Sequence, residues 1–283
     1  MNLADIKTLE ALLKPVGFDF KKSLGQNFLI NEDVCPAMAN AACDENTGVL
    51  EIGPGVGVLT VELSKVAKRV VAIELDERLK KILPKTLSEC NNVEVIFGDA
   101  MKLDLRTIIE EKFSDCDRVC VCANLPYYIT SPIIMMLLES KLPIDNVTVM
   151  VQKEAAERLC AEVGSRESGA ITVAVNYYAE PEILFEVDRY SFMPPPKVDS
   201  SVIKLNVRRE APIKLNNEKA FFALIKAAFA QRRKTLINTV SNTTGISKDD
   251  LKSALEELGL QPTVRSEQLT LEELAAHSNI LNK

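Results

Sequence analysis

The stretch EIGPGVGVLT (51–60) follows a short apolar run and places three glycines between a predicted strand and a predicted helix. Gly53, Gly55 and Gly57 let the backbone turn tightly and approach a ligand closely. Glu74 ends the next apolar run, 21 residues after Gly53, where a carboxylate can accept hydrogen bonds from both hydroxyls of a ribose. Together they predict an adenosine-containing cofactor, and the alternative is a glycine-rich turn with a surface glutamate. The GxGxG spacing argues mildly against NAD, and the absence of GxxxxGK[ST] argues against a P-loop.

Apolar runs of strand length alternate with helical stretches on either side of this turn, from Val49 to about Val151. The strand-like runs are VLEI, RVVAIE, VEVIF, RVCVCA and NVTVMV, and the helical stretches are LTVELSKVA, ERLKKILPK, DLRTIIEEK and SPIIMMLLES. Near-continuous apolar strands separated by helices indicate a parallel sheet covered on both faces. The fold class is therefore α/β, and ligands of such sheets bind at the carboxyl ends of the strands.

The chain beyond this region changes character near Ala211. QKEAAERLCAEV predicts a helix, AITVAVNYY a looser stretch, EILFEV and SVIKLNV strands, and FMPPPKV a stiff loop, because consecutive prolines donate no hydrogen bonds. Past Pro212, we predict three helices, NEKAFFALIKAAFAQRRKTLINTV, SKDDLKSALEELGL and TLEELAAHS, the last two N-capped by Ser247 and Thr270. We predict two domains, residues 1–211 and residues 212–283.

The composition of the 283 residues is that of a soluble globular protein, with 47% hydrophobic and 26% charged residues. The start of the chain lacks the apolar centre of a secretory signal, and no apolar run approaches the ~20 residues of a membrane span. Seven cysteines without CxxC spacing indicate small apolar side chains in a reducing cytoplasm. The single histidine, His277, is predicted on a helix surface, so that histidine chemistry and a metal site are not expected.

Positive charge is concentrated in one segment, although the whole chain has a net charge of −6. From Lys197 to Lys234 there are ten Lys or Arg and three acidic residues, a balance of +7. Such a segment in an acidic protein can offer one surface to phosphates, and the alternative is an ordinary solvated face.

Two further strand ends carry polar groups that suit a nucleobase. Asp99 follows VEVIF and can accept a hydrogen bond from an adenine amine, or it can N-cap a helix. RVCVCA is followed by NLPYYIT (124–130). The Asn124 side-chain oxygen and a carbonyl of Leu125 or Pro126 can accept hydrogen bonds from an exocyclic amine, which frees the nitrogen lone pair for attack. Tyr127 offers a face to a base taken out of its stack; the alternative is a turn with both tyrosines in the core.

The order of these motifs resembles that of the S-adenosylmethionine-dependent ribosomal RNA adenine N6-dimethyltransferases. The resemblance runs through KKSLGQNFL (21–29), EIGPGVGVLT, IELD, GDA, NLPYYI, SFMPPPKVDS (191–200) and QRRKTL (231–236). The last two motifs favour the KsgA/Dim1 branch, which modifies small-subunit rRNA, over the Erm branch, which modifies large-subunit rRNA.

The resemblance implies a Rossmann-like methyltransferase domain followed by a small all-helical C-terminal domain. It implies dimethylation of two adjacent adenosines near the 3′ end of small-subunit rRNA by a monomer acting on a pre-ribosomal particle during small-subunit biogenesis. The implied contacts to S-adenosylmethionine are those of Asn27, Leu29, Gly53, Gly55, Glu74, Asp99 and Asn124. The implied contacts to the target adenine are those of Asn124, Tyr127 and Phe192, and those to RNA phosphates are Lys197, Arg232, Arg233 and Lys234.

Several alternatives remain open at this point. Phe192 can instead be a core residue that anchors the proline loop, and the basic residues can form a solvated helix face. The chain can instead be an Erm-type enzyme, a ribosome-assembly factor that has lost methyl transfer, or a nicotinamide-dependent oxidoreductase.

Overall fold

The computed structural model describes residues 1–17 and 28–282, which form two compact units. The first unit consists of Met1–Ala156 and Glu182–Val207, and the second consists of Glu157–Pro181 and the chain from Arg208 onward. The predicted boundary near Ala211 lies close to the start of that last segment. It differs from this division in one respect, because 157–181 groups with the helical unit rather than with the sheet.

Seven strands form one sheet, in the order β4-β3-β2-β5-β6-β9-β7, and β1 pairs with β8 in a separate two-stranded sheet. The strands are β1 Phe28–Leu29, β2 Thr47–Ile52, β3 Arg69–Glu74, β4 Val93–Phe97, β5 Arg118–Asn124, β6 Asn146–Gln152, β7 Ala179–Val187, β8 Phe192–Met193 and β9 Ser200–Val207. β4, β3, β2, β5 and β6 are parallel neighbours, and β9 runs antiparallel to β6. The predicted α/β fold with a parallel sheet is confirmed.

The strand order reverses direction at β2 and β5, since the chain moves outward to β3 and β4 on one side and to β6 on the other. A crevice opens at the carboxyl ends of the strands at such a reversal, which is where ligands of open α/β sheets bind. β2 leads into the glycine-rich turn, and β5 ends at Asn124. Both motifs therefore meet at one edge of the sheet.

Twelve α-helices are present in the described residues. They are α1 Ile6–Leu13, α2 Val34–Ala42, α3 Val58–Val66, α4 Leu83–Thr86, α5 Leu105–Lys112, α6 Tyr127–Glu139, α7 Lys153–Leu159, α8 Ala170–Tyr178, α9 Glu218–Ala228, α10 Leu236–Thr244, α11 Lys248–Glu257 and α12 Leu271–Leu281. Over the described ranges, none has both the length and the apolarity that crossing a bilayer requires.

The predicted N-caps of the last two helices are confirmed. The Ser247 hydroxyl accepts a hydrogen bond from the Asp250 N–H at 3.1 Å at the start of α11. Thr270 and Glu273 form a reciprocal pair at the start of α12, with N···O distances of 3.2 and 2.9 Å. Each bond satisfies a backbone N–H that would otherwise have no partner in the first turn.

Two predictions of secondary structure are wrong. AITVAVNYY is not a loose stretch but helix α8, because Val173 packs into the apolar core of the second unit and the Thr172 hydroxyl accepts a hydrogen bond from the Gly169 N–H at 3.0 Å. The stretch from Asn217 to Val240 is not one helix. It breaks into α9 and α10, because the side chain of Thr235 caps a new helix start at the Asn238 N–H.

The prediction that His277 lies on a helix surface is also wrong. His277 is fully buried in α12, and its Nε2 lies 3.4 Å from the Leu251 carbonyl oxygen. Its Nδ1 has no hydrogen-bond partner among the described residues. Burial lowers the pKa of the imidazole, because the charged form loses its hydration. His277 therefore serves the core of the second unit.

Candidate active site

A cavity of about 470 Å³ lies in the first unit at the carboxyl ends of β2 to β5. Its walls come from the glycine turn after β2, the ends of β3, β4 and β5, and the start of α6. The predicted residues that line it are Leu29, Gly53, Gly55, Glu74, Asp99, Asn124, Tyr127 and Phe192. Asn27 lies outside the described residues. The structure thus brings the described candidates for cofactor and target-adenine contact together, and their individual roles stay predictions.

The glycine turn adopts the left-handed backbone conformation that its sequence predicts. Gly53 and Gly55 have φ angles of 72° and 58°, and Gly57 has 93° at the N-cap of α3. A Cβ on Gly57 would lie 2.9 Å from a Leu87 methyl carbon, which is too close for an unshifted neighbour. The backbone conformation therefore favours glycine at Gly57, while the Leu87 methyl group would have to shift for any larger residue.

Glu74 braces this turn from the end of β3. Its Oε2 accepts a hydrogen bond from the Gly55 N–H at 3.1 Å, and its Oε1 accepts one from the Asp76 N–H at 2.7 Å. The side chain is buried, so the alternative of a surface glutamate is wrong. Burial raises the pKa of the Glu74 carboxyl. A carboxylate has about four lone-pair sites, so capacity remains for the hydroxyls of a ligand.

Glu51 is a second buried acid in the cavity wall, and reasoning from the sequence missed its importance. It lies on β2 with 1% of its surface exposed, and its Oε2 has no hydrogen-bond partner in the described part of the chain. Burial raises the pKa of Glu51 to about 8. The available signal was a charged residue inside the apolar run VLEI. A buried carboxyl oxygen without a partner is costly, which points to a cationic or hydrogen-bond-donating ligand group beside it.

Asn124 ends β5 half-buried in the cavity wall, and the next residues turn directly into α6. The Pro126 carbonyl already accepts hydrogen bonds from the Ile129 N–H and the Thr130 hydroxyl, both at 3.1 Å. A carbonyl oxygen has two lone pairs, so the Leu125 carbonyl is the better candidate for a second acceptor beside Asn124. The hydrogen bonds of the Pro126 carbonyl thereby favour Leu125 over Pro126, the two candidates that the sequence left open.

The two tyrosines after Pro126 have different surroundings. The Tyr127 hydroxyl lies 2.7 Å from Ser200 Oγ, and burial raises its pKa. Tyr128 is 69% exposed, so the alternative of both tyrosines in the core is wrong for Tyr128. Tyr127 is held in the cavity wall, while Tyr128 stands at its edge.

Phe192 belongs to both the cavity wall and the core. It is 3% exposed, packs in the same apolar cluster as Leu29, and lies opposite Leu29 in the β1–β8 ladder. The Ile30 N–H donates to the Ser191 carbonyl oxygen at 2.8 Å beside it. These contacts support the anchoring alternative, and stacking of Phe192 on a target base stays a prediction.

Asp99 closes a turn after β4 rather than capping a helix. Its Oδ1 accepts a hydrogen bond from the Met101 N–H at 3.0 Å, and its Oδ2 lies 3.4 Å from Lys102 Nζ. The acid that caps the next helix, α5, is Asp104, which accepts from the Thr107 N–H at 3.1 Å. Asp99 lines the cavity with part of its carboxylate still exposed.

The basic candidates do not line this cavity. Lys197 is exposed in the first unit, while Arg232, Arg233 and Lys234 are exposed in the second unit. The last three occupy the loop between α9 and α10, so the alternative of a solvated helix face is wrong in that these residues are not helical. Arg232 Nη2 donates to the Arg166 carbonyl oxygen at 2.7 Å, which ties this loop to 157–181. Their contact with RNA stays a prediction.

Comparisons with known proteins show matches over nearly the whole chain. Residues 17–283 match the family described as ribosomal RNA adenine dimethylase. A small-subunit ribosomal RNA methyltransferase A of Bacillus pumilus is 46% identical over 282 residues, which cover 98% of this chain and 96% of the relative. The protein of that name from Staphylococcus aureus is 46% identical over 278 residues, which cover 97% and 94%.

Two solved structures share the fold over most of their length. A dimethyladenosine transferase from Plasmodium falciparum has 30% sequence identity and a TM-score of 0.72, with coverage of 88% of this chain and 95% of that one. The 23S rRNA methyltransferase ErmE has 26% identity and a TM-score of 0.67, with coverage of 91% and 100%. The chain belongs to the ribosomal RNA adenine dimethylase family.

Proposed function

We propose that this chain transfers methyl groups from S-adenosylmethionine to N6 of two adjacent adenosines near the 3′ end of small-subunit rRNA. The observation that carries the proposal is the position of Asn124 and Leu125, which end β5 at the same cavity as the glycine turn and Glu74. The residues that we propose to bind the cofactor and the target adenine therefore lie at neighbouring strand ends of one sheet.

The cavity residues fit the proposed cofactor. S-adenosylmethionine supplies an electrophilic methyl group on a positively charged sulfur and also carries an ammonium group. Glu51 and Glu74 give the cavity two buried carboxyl groups, and only that of Glu51 has an oxygen without a partner among the described residues. We assign Glu51 to the cationic end of the cofactor, Glu74 to its ribose and Asp99 to its adenine. Leu29 contributes apolar wall beside them.

Asn124 and Leu125 prepare the target amine. The Asn124 side-chain oxygen and the Leu125 carbonyl each accept one N6 hydrogen, which favours a pyramidal nitrogen with an available lone pair. The N6–C bond then forms as the C–S bond breaks, and the nitrogen proton leaves to solvent after transfer because alkylation makes it acidic. No side chain has to act as a base first. The catalytic gain comes from position and from preorganised acceptors.

We assign docking of the rRNA to the basic residues outside the cavity. Lys197, Arg232, Arg233 and Lys234 are all exposed, as contacts to phosphate oxygens require. We propose that the substrate is a small-subunit particle during assembly, that the enzyme acts as a monomer, and that it works in the cytoplasm.

The other readings have less support. An Erm-type activity rests on the likeness to ErmE at 26% identity, whereas the small-subunit relatives reach 46%. A factor without methyl transfer would have no need for an amide side chain and a backbone carbonyl placed at the cavity. A nicotinamide enzyme would be detected by quenching of NADH fluorescence.

The test is incubation of under-methylated small subunits with tritiated S-adenosylmethionine, followed by mass analysis of the rRNA. We expect four added methyl groups on two adjacent adenosines, and none in large subunits. Asn124→Ala should abolish transfer, whereas Asn40→Ala, an exposed asparagine on α2, should not. Methylation by Asn124→Ala at the wild-type rate would refute the catalytic assignment, and labelling of large-subunit rRNA alone would favour the Erm-type reading.

A further inference from the structure

Exposed apolar side chains are concentrated around the mouth of the cavity. Over the described ranges, the large hydrophobic residues that stand exposed are Met1, Leu75, Met101, Tyr128, Ile183 and Tyr190. Three of these six, Leu75, Met101 and Tyr128, line this one cavity. Exposed apolar residues scattered singly need no explanation, but a group at the rim of a cavity indicates contact with a ligand.

This rim has two halves. Leu75 follows β3 and Met101 follows β4, so both lie beside Glu74 and Asp99, where we place the nucleoside of the cofactor. Tyr128 lies beyond the end of β5, and the strand order puts the glycine turn of β2 between the halves. The cofactor therefore accounts for Leu75 and Met101 and leaves Tyr128, on the side of Asn124, without a role.

Tyr128 combines a fixed backbone with an open ring. It is the second residue of α6, so its Cα position is set by the helix that starts at Tyr127. In contrast to the Tyr127 hydroxyl, which is held by Ser200, the Tyr128 hydroxyl makes no hydrogen bond with any described residue, and the side chain is 69% exposed. Such a ring presents an aromatic face to whatever enters the cavity from the Asn124 side.

We propose that the Tyr128 ring stacks on the nucleobase next to the target adenosine in the RNA strand. This inference rests on the proposed function. An adenosine that leaves its stack to reach Asn124 deprives its neighbour of a stacking partner, and an aromatic side chain at the cavity mouth replaces that partner. Because the two target adenosines are adjacent, the neighbouring base is itself a purine, which stacks well.

The first experiment measures steady-state kinetics on under-methylated small subunits. We expect Tyr128→Ala to raise the KM for subunits about 10-fold, the order expected for loss of one base–aromatic stack. Tyr128→Phe keeps the ring and should stay near the wild-type KM. Tyr190→Ala removes a tyrosine that is exposed but absent from the cavity wall, and it should leave KM unchanged. The Kd for S-adenosylhomocysteine should change less than about twofold in Tyr128→Ala, since stacking concerns RNA rather than cofactor.

The second experiment separates stacking from a merely structural effect. Subunits are reconstituted with rRNA in which the adenosine next to the target is replaced by uridine, a weaker stacking base. Wild-type enzyme should then show a raised KM, and Tyr128→Ala should show no further rise on this substrate. If the uridine substitution and Tyr128→Ala each raise KM and their effects multiply when combined, the proposal is overturned. It is also overturned if Tyr128→Ala has the wild-type KM, or if its KM rise is matched by a loss of S-adenosylhomocysteine binding. If wild-type enzyme itself methylates no adenosine, the proposed function fails rather than the role of Tyr128.

Discussion

The carboxylate of Glu74 accepts a hydrogen bond from the backbone N–H of Gly55 at 3.1 Å, across 19 residues of sequence. The same carboxylate accepts the Asp76 N–H at 2.7 Å. One buried side chain thus joins the end of β3 to the glycine turn that follows β2. The residue expected to hold the ribose also fixes the turn that approaches the cofactor, so both functions depend on one carboxylate.

Replacement of Glu74 by Gln should therefore weaken both binding and folding. A glutamine keeps one acceptor oxygen but turns an N–H₂ group toward a backbone N–H, which leaves a buried donor unsatisfied. We expect the Kd for S-adenosylhomocysteine to rise at least about 10-fold and the free energy of unfolding to fall by about 1–3 kcal/mol. Calorimetry and urea denaturation measure the two effects. Glu89→Gln, at an exposed site, is the control, and unchanged binding in Glu74→Gln would contradict the ribose assignment.

The raised pKa of Glu51 predicts a pH dependence of stability. Its pKa in the folded chain is about 8, against an ordinary value of 4.5, so between these values the folded state holds a proton that the unfolded state has lost. Stability of the ligand-free protein should therefore fall as pH rises from about 5 to about 8. Urea denaturation at several pH values measures this slope, and Glu51→Gln should reduce it. A variant with the wild-type slope would show that other groups cause it.

Because Glu51 holds a proton in the ligand-free folded chain, we predict that cofactor binding strengthens as pH rises. The ammonium group, which S-adenosylhomocysteine shares with S-adenosylmethionine, favours the carboxylate of Glu51 over the carboxylic acid when it lies beside it, so binding releases the proton. We expect the Kd for S-adenosylhomocysteine to fall between pH 6 and pH 8 in the wild-type protein and to change much less in Glu51→Gln. Titration calorimetry in buffers of different ionisation enthalpy would count the released proton. Equal proton release by both proteins would exclude Glu51 as its source.

Strand identity and the edge of the sheet that holds the site follow from local patterns. The runs from VLEI to NVTVMV are apolar, β-branched and short, and the rule for parallel strands then brings Gly53, Glu74, Asp99 and Asn124 to one edge. The glycine turn is equally local, since its backbone conformation is one that glycine adopts readily. These parts of the fold and the site could therefore be predicted from sequence alone.

The errors arose where tertiary packing outweighs local preference. AITVAVNYY is rich in β-branched residues, yet it forms α8 because burial of residues such as Val173 and Tyr177 in the second unit outweighs propensity. His277 is polar but fills a core position, and Glu51 interrupts an apolar strand with one carboxyl oxygen that has no partner among the described residues. Burial and missing partners are properties of the assembled structure.

The contact between Tyr127 and Ser200 should position the ring more than it contributes to chemistry. The two oxygens lie 2.7 Å apart, and Tyr127 begins α6 while Ser200 begins β9. Tyr127→Phe keeps the ring, so we expect a loss of about 1 kcal/mol in unfolding free energy and only a small fall in kcat. Tyr127→Ala removes the face for the base and should lower kcat strongly. In a double-mutant cycle, the losses of unfolding free energy caused by Tyr127→Phe and Ser200→Ala should not add up in the double variant. Additive losses would mean that the Tyr127–Ser200 hydrogen bond contributes nothing to stability.

Arg233 allows a test of RNA docking that does not disturb the cavity. It is exposed in the loop between α9 and α10, and it belongs to the second unit, whereas the cavity belongs to the first. If Arg233 contacts one phosphate, Arg233→Ala should weaken binding of small subunits and reduce the slope of log K against log salt by about 1. The Kd for S-adenosylhomocysteine should stay at the wild-type value. Lys252→Ala, an exposed lysine on α11 outside the basic segment 197–234, is the matched control for loss of one positive charge. Identical slopes for Arg233→Ala and the wild-type protein would remove Arg233 from the RNA contact, because release of phosphate counterions is what sets that slope.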